Sequence, residues 1–337
     1  MNKQILDIST SSIIRVFVVL LVIGFILAIW PILASVFFAA VIASALEPAV
    51  RLLTRIGVPR VLTAFILYAV GFLIFASVFY AVLPTLVSEV RQLSSDLPQK
   101  YSAFIKSIEQ ILGTTGISIN VQDQIRTFFE NIQSGISESV SNIFGFTSNV
   151  FGGLISALFV LVISFYLVLQ KDGIEHFLKS FIPAAHQEYA MNLWQRIQAR
   201  LGRWFQSQLL LGIFIGTFLF LGLWLMGVKY ALTIAFMAGV LEIIPVIGPM
   251  IAGITAFALI SFQSPALALG AILVYLLIEQ IQQHLFVPII VSKAIGLSPI
   301  VILVALLVAG KLLGFWGILL AIPLAVTIGE IVRDFRK

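Results

Sequence analysis

Apolar residues run from position 13 to the C-terminus with few polar interruptions, punctuated by proline, glycine and short basic loops. Runs this long predict bilayer-crossing helices rather than the half-buried helices of a soluble domain. A first span is expected over 13–30 and a second over 32–50, with Pro31 between them. The following loop holds Arg51, Arg55 and Arg60, and Gly57-Val58-Pro59 makes its turn. A third span covers 61–83 and stops at Pro84; a fourth covers 150–170, a fifth 209–226, and a sixth 266–287 between Pro265 and Pro288.

Two polar stretches stand out against this pattern. Residues 84–147 carry amphipathic helical spacing at Leu86, Val90, Leu93 and Leu97, and again at Ile125, Phe128, Phe129, Ile132 and Ile136. An extracytoplasmic helical hairpin capping the membrane part is expected there, or else an oligomer contact or gate. Before the fifth span, Trp194, Ile197, Leu201, Trp204 and Phe205 line one helical face, while Arg196, Arg200 and Arg203 gather on another. That helix either lies in the inner leaflet or packs on the bundle. The chain thus divides into a three-span bundle (1–83), the insertion (84–147), a fourth span with its interfacial helix (148–208), and a C-terminal core (209–337).

Two apolar stretches in that core have the wrong length. Residues 231–260 would reach roughly 45 Å as one helix, against a hydrocarbon core about 30 Å thick. The segment LEIIPVIGP at 241–249 breaks the stretch with Pro245, Gly248 and Pro249. Each arm is then too short to cross, so a re-entrant hairpin entering from outside is expected. Residues 299–332, starting at Pro299, are also too long for one upright crossing, and Gly310, Gly314 and Gly317 interrupt them. A second hairpin, entering from inside, follows. Single crossings would instead give eight spans; the two schemes place Lys293 on opposite sides.

Composition fixes the class. Of 337 residues 60% are hydrophobic and 10% charged, with mean hydropathy +1.11. The lipid bilayer is this chain's solvent, and the fold class is an all-α polytopic membrane protein. Basic loops place both termini in the cytoplasm. With no cysteine there is neither a disulfide nor a thiolate metal site. No basic, aromatic-interleaved soluble domain exists to bind nucleic acid. The insertion and the glycine-rich helices are compatible with a homo-oligomer.

Deep ionisable residues are few, and each is a functional candidate because charge is costly there. Glu242 falls roughly 17 Å from the outer end of the first hairpin. Glu279 lies past the middle of the sixth span, followed by Gln280, Gln282, Gln283 and His284; Glu279, Gln282 and Gln283 share a helical face. Lys311 sits near the tip of the second hairpin. Glu242, Glu279, Gln280, Gln283 and Lys311 are expected to converge on a central site for a small polar solute or monovalent cation, completed by exposed backbone at the broken tips. A carboxylate withdrawn from water also becomes able to exchange protons near neutral pH. The plainer reading makes Lys311 a neutralising partner and the glutamines interhelical glue. Glu47 and Glu330 read as helix-end residues, the latter solvated. A lone His284 makes no metal site, and no cofactor is implied. No HExxH, GxSxG or GxxxxGK[ST] pattern is present, so no enzyme is expected.

LEIIPVIGP at 241–249 resembles the E-x-I-P-x-I-G-P motif of the autoinducer-2 exporter family of bacterial membrane proteins. The block IEQIQQHLFVPIIVSKAIGLSP at 278–299, then LLVAGKLLGFWGILLAIPLAV at 306–326, resembles that family's closing signature, and RIGVPR at 55–60 also fits. Glu242, Pro245, Gly248, Pro249, Glu279, Gln280, Pro288, Gly296, Pro299, Gly310, Gly314, Gly317 and Pro323 match the pattern. Gln282, where the family often has an acid, and Ser298, where it often has histidine, depart from it, leaving Glu242 and Glu279 as the only deep acids. The resemblance implies a multi-pass inner-membrane secondary transporter, exporting a small polar metabolite such as the quorum-sensing signal autoinducer-2. The alternatives are a sodium(lithium)/proton antiporter, or, from another class, a non-coupled pore or membrane scaffold.

Overall fold

The computed structural model describes residues 10–74, 146–170, 182–261, 263–291 and 296–335, with a few isolated positions besides. Every regular element among them is helical: α1 (Thr10–Ala28), α2 (Trp30–Arg55), α3 (Arg60–Ile74), α4 (Phe146–Leu169), α5 (Ala184–Leu225), α6 (Ala231–Leu241), α7 (Ile247–Ser261), α8 (Pro265–Ile281) and α9 (Pro299–Phe335). The chain is a polytopic helical membrane protein. Its outward faces are apolar, as on α1 (Phe17, Leu20, Phe25), α5 (Ile213, Phe218) and α8 (Leu269, Leu273). Patches on that scale suit contact with lipid. The insertion expected over 84–147 and the residue Lys293 lie outside the described residues, apart from a few positions at the insertion's edges.

Helix starts follow local chemistry. Ser264 Oγ accepts the Leu267 N–H at 3.5 Å and Ser298 Oγ accepts that of Val301 at 3.4 Å. Each serine precedes a proline whose missing N–H costs nothing in a first turn.

The interfacial helix and the fifth span are one element. α5 runs 42 residues, about 63 Å, because Gln206-Ser207-Gln208 interrupts hydrophobicity without interrupting helix. Ser207 Oγ bonds back to the Arg203 carbonyl at 2.7 Å, and Gln206 Nε2 donates to the Ala45 carbonyl at 2.5 Å. Leu201, Trp204 and Phe205 pack with Val41 and Ala45 of α2 and with Ile322 and Val326 of α9. Of the two arrangements expected for this segment, packing on the bundle is observed.

Small residues set the helix spacings. Gly202 lies so close to the Ser44 carbonyl of α2 that a Cβ would overlap it. Gly212 and Gly216 of α5 face Gly239 and Ala235 of α6; a Cβ on Gly212 would stand 2.6 Å from the Gly239 carbonyl oxygen. Interlocking small-xxx-small faces let backbones approach where apolar lipid offers no driving force for association.

Both long apolar stretches fold back on themselves. α6 and α7 join through a tight turn, and their feet meet where Gln263 accepts the Lys229 N–H at 3.0 Å and donates to the Gly227 carbonyl at 3.1 Å. In α9 the backbone reverses at Gly314 (φ 62°, ψ −140°). Gly310 consequently packs on Ile318, and Gly317 on the Ala309 carbonyl, pairs that a straight helix would hold about 12 Å apart. The two ends of α9 also meet: Arg333 donates to the Gly296 carbonyl at 3.0 Å. Pro299–Asp334 has the length and hydropathy of a span, but its bend makes it a hairpin rather than one crossing. Gly296 and Arg333 both lie at the end of the molecule that holds Arg60, Arg196 and Arg200, called here the basic end. The feet of the α6–α7 hairpin lie at the far end of α5.

Candidate functional site at the first hairpin tip

The tip forms because Pro245 has no N–H to continue α6. Val246 then takes φ 68°, a left-handed value unusual for a β-branched residue. Gly248 follows against the Leu241 carbonyl, with no room for a Cβ. This backbone survives in an apolar setting because neighbours satisfy it. Gln208 of α5 donates its side-chain amide to the Glu242 carbonyl, and Tyr275 of α8 donates its hydroxyl to that of Pro249 at 2.8 Å.

Glu242 caps α6 and is 3% exposed. Gln282 Nε2 donates to its Oε1 at 2.5 Å. Glu279 of α8 is a near neighbour of Glu242 and lies within hydrogen-bonding reach of Tyr275 and of Gln283, just past the end of α8. Three buried oxygens at the tip have no partner among the described residues: Glu242 Oε2, Glu279 Oε1 and Gln282 Oε1. Among the described residues neither acid forms an ion pair. An oxygen-rich, base-free group of this kind can hold a proton, accept hydrogen bonds from a polar solute, or coordinate a hard cation.

The expected site residues are distributed unequally. Glu242 and Glu279 come together. Gln283 stays beside Glu279 but is exposed, as is Gln280, whose carbonyl pairs with His284 Nδ1 at 2.9 Å. The shared face of Glu279, Gln282 and Gln283 splits because a π-helical segment, Gln282–Val291, begins there and contains Pro288. Gln282 is 1% exposed and turned onto Glu242. Lys311 is exposed near the second tip and makes no hydrogen bond or ion pair among the described residues. Gln208 and Tyr275 were not anticipated; the signals were the polar triplet 206–208 within an apolar run and a tyrosine one turn before Glu279.

Glu330 requires correction. It is buried rather than solvated, and it binds Arg200 at 2.9 Å, Arg196 at 3.3 Å and Arg333 at 3.4 Å. Asp334 pairs with Arg196 as well. Glu47 likewise holds Arg51 at 2.9 Å and Arg60 at 2.8 Å.

The model of the AI-2E family transporter matches residues 16–337. The chain belongs to the AI-2E transporter family. Among relatives of this AI-2E family protein, "Putative transport protein YueF" of Bacillus subtilis is 28% identical over 305 residues, covering 86% of this chain and 82% of the relative. "Putative permease PerM" of Escherichia coli is 28% identical over 74% of this chain and 68% of its own length. "AI-2 transport protein TqsA" of Escherichia coli is 27% identical over 86% and 82% respectively. The hairpin-tip site thus sits in a membrane transporter.

Proposed function

We propose that this AI-2E family protein is a gradient-driven exporter of a small polar metabolite of the autoinducer-2 type, with the first hairpin tip as its coupling and binding centre. The observation that carries the reading is the buried Glu242–Gln282–Glu279 group, whose oxygens remain available at a broken helix. Discontinuous helices place backbone and polar side chains at the sites of many transporters. A carboxylate with a glutamine partner and no base can take up and release a proton as solute arrives and leaves. The designation of TqsA as an AI-2 transport protein supports this cargo. The protein sits in the bacterial inner membrane with both termini cytoplasmic, because arginines concentrate at one end of the bundle.

Sodium(lithium)/proton antiport is the second reading, favoured by the three unpartnered oxygens, which suit a hard monovalent cation. Flux in proteoliposomes, with and without an imposed pH gradient, tests both. Autoinducer-2 efflux driven by the gradient and lost in Glu242→Gln supports the exporter; sodium or lithium flux alone supports the antiporter. Flux indifferent to every gradient indicates a pore, and no flux a scaffold.

A further inference from the structure

The basic end carries a second site, apart from the hairpin tip. Between α2 and α5 runs a groove of about 350 Å³ lined by Ser44, Glu47 and Arg51 from one helix and Gln195, Gln198 and Arg203 from the other. It shares Gln195, Ala199 and Arg203 with an adjoining cleft of about 590 Å³, whose further lining includes Asn192, Arg196 and Arg200. The charges do not balance. Among the described residues Glu47 is the one acid lining either cavity, and it is already held by Arg51 and Arg60. Glu330 and Asp334 hold Arg196, Arg200 and Arg333. Five paired arginines therefore share three carboxylates, and Arg203 adds a sixth positive charge with no ion pair among the described residues. The excess is felt locally. Burial, together with the neighbouring Arg333, Arg203 and Arg196, pushes the Arg200 pKa down against the pull of Glu330.

We propose that this groove binds the phosphodiester of an anionic phospholipid, with Arg203 and Arg51 as its principal charges and Gln198 as an amide donor. The helix surface beyond the groove favours a lipid over a soluble phosphate. Leu210 follows Arg203 by seven residues on the same face of α5, Ile213 by ten, and both are exposed. A headgroup held at Arg203 would therefore lay its acyl chains along an apolar stripe already open to the bilayer. Basic pockets between helices at a membrane surface suit such headgroups. α2 and α5 would then be clamped together by the lipid at their basic ends.

The test uses the full chain in uncharged detergent and reads the concentration of phosphatidylglycerol giving half the maximal rise in unfolding temperature. Phosphatidylcholine and inorganic phosphate serve as separate arms. Phosphatidylglycerol should stabilise the protein and phosphatidylcholine should not. Arg203→Gln and Arg51→Gln should each raise the half-point about fivefold, equivalent to about 1 kcal/mol per basic residue at an anionic surface. Arg203→Lys should stay near the wild type, and Lys229→Gln, at the far end, should be unchanged. Equal stabilisation by phosphatidylcholine, or half-points unmoved in both Arg203→Gln and Arg51→Gln, overturns the site. A rise produced as fully by inorganic phosphate overturns the lipid assignment and gives the groove to a soluble phosphate compound.

Discussion

Gln282 donates to one carboxylate oxygen of Glu242 at 2.5 Å and leaves the other without a partner among the described residues. This buried glutamine is thus the side chain that orients the Glu242 carboxylate. Replacing Gln282 with Leu keeps the apolar volume but removes the only hydrogen bond that the described residues give this carboxylate. An unsatisfied buried polar group costs about 1–3 kcal/mol, which corresponds to a flux reduction of about five- to 150-fold if carboxylate placement governs turnover. Gln282→Glu should retain flux but change its pH profile, since two acids then share one position. Initial rates in proteoliposomes from pH 6 to pH 8 check both. A Gln282→Leu rate equal to the wild type would remove Gln282 from the site.

Gly212 places α5 against the hairpin, its missing Cβ leaving room for the Gly239 carbonyl; a Cβ there would also stand 3.8 Å from that of Glu242. Gly212→Ala forces the two backbones apart and draws Gln208 from the Glu242 carbonyl. Overpacking at such a contact costs about 1–3 kcal/mol. The unfolding temperature in detergent should fall, and flux should fall further than Gly24→Ala allows, since a Cβ on Gly24 meets nothing within 4 Å.

The parts of this fold that sequence could reveal were those written in local chemistry. Pro245, Gly248 and Pro249 mark a break whatever surrounds them, and stretches of mismatched length demand a reversal. The glycines at 310, 314 and 317 announced the second hairpin, though only the Gly296–Arg333 contact shows both its feet at one end. What stayed hidden depends on partners distant in the chain. Gln208 reads as a polar residue just before the fifth span until Glu242 is brought to it from 34 positions away. Glu330 reads as a solvated helix end until three arginines from two helices close over it. The π-helical segment leaves no period to count, and it separates Gln282 from Gln283. Lys311 looked like a partner for the acids by depth alone, and depth does not fix direction.

Glu330 is 4% exposed at its side chain, whereas its arginine partners are 24–49% exposed. Removing one partner of a fully buried pair costs about 3–5 kcal/mol. Water around the arginines reduces this, so Glu330→Gln should lose about 2 kcal/mol. The loss should be smaller in 1 M salt, where repulsion among Arg196, Arg200 and Arg333 is screened. Chemical unfolding of the purified chain at two salt concentrations measures it. A loss independent of salt would mean that Glu330 acts through packing rather than charge.

Gly314 turns α9 with φ 62° and ψ −140°, and a Cβ there would meet nothing within 4 Å. Any penalty for Gly314→Ala is therefore backbone strain alone, about 1–3 kcal/mol. Gly317→Ala should be worse, because its Cβ would overlap the Ala309 carbonyl and pry the arms apart. The order of unfolding temperatures, wild type above Gly314→Ala above Gly317→Ala, checks this; equal values would mean that the arms are not tightly paired.

The hairpins also fix which loops share a side. The feet of α6–α7 lie at the far end, where Gln263 bonds Lys229 and Gly227, whereas Gly296 is held by Arg333 at the basic end. The chain contains no cysteine, so single replacements report without background. Lys229→Cys should react with an impermeant maleimide on intact cells, and Ser298→Cys only after permeabilisation, matching Arg55→Cys. Labelling of Ser298→Cys from outside would require α8 and α9 to be threaded the opposite way. The Arg333–Gly296 contact could not then join two ends of one hairpin, and the eight-crossing arrangement would replace it.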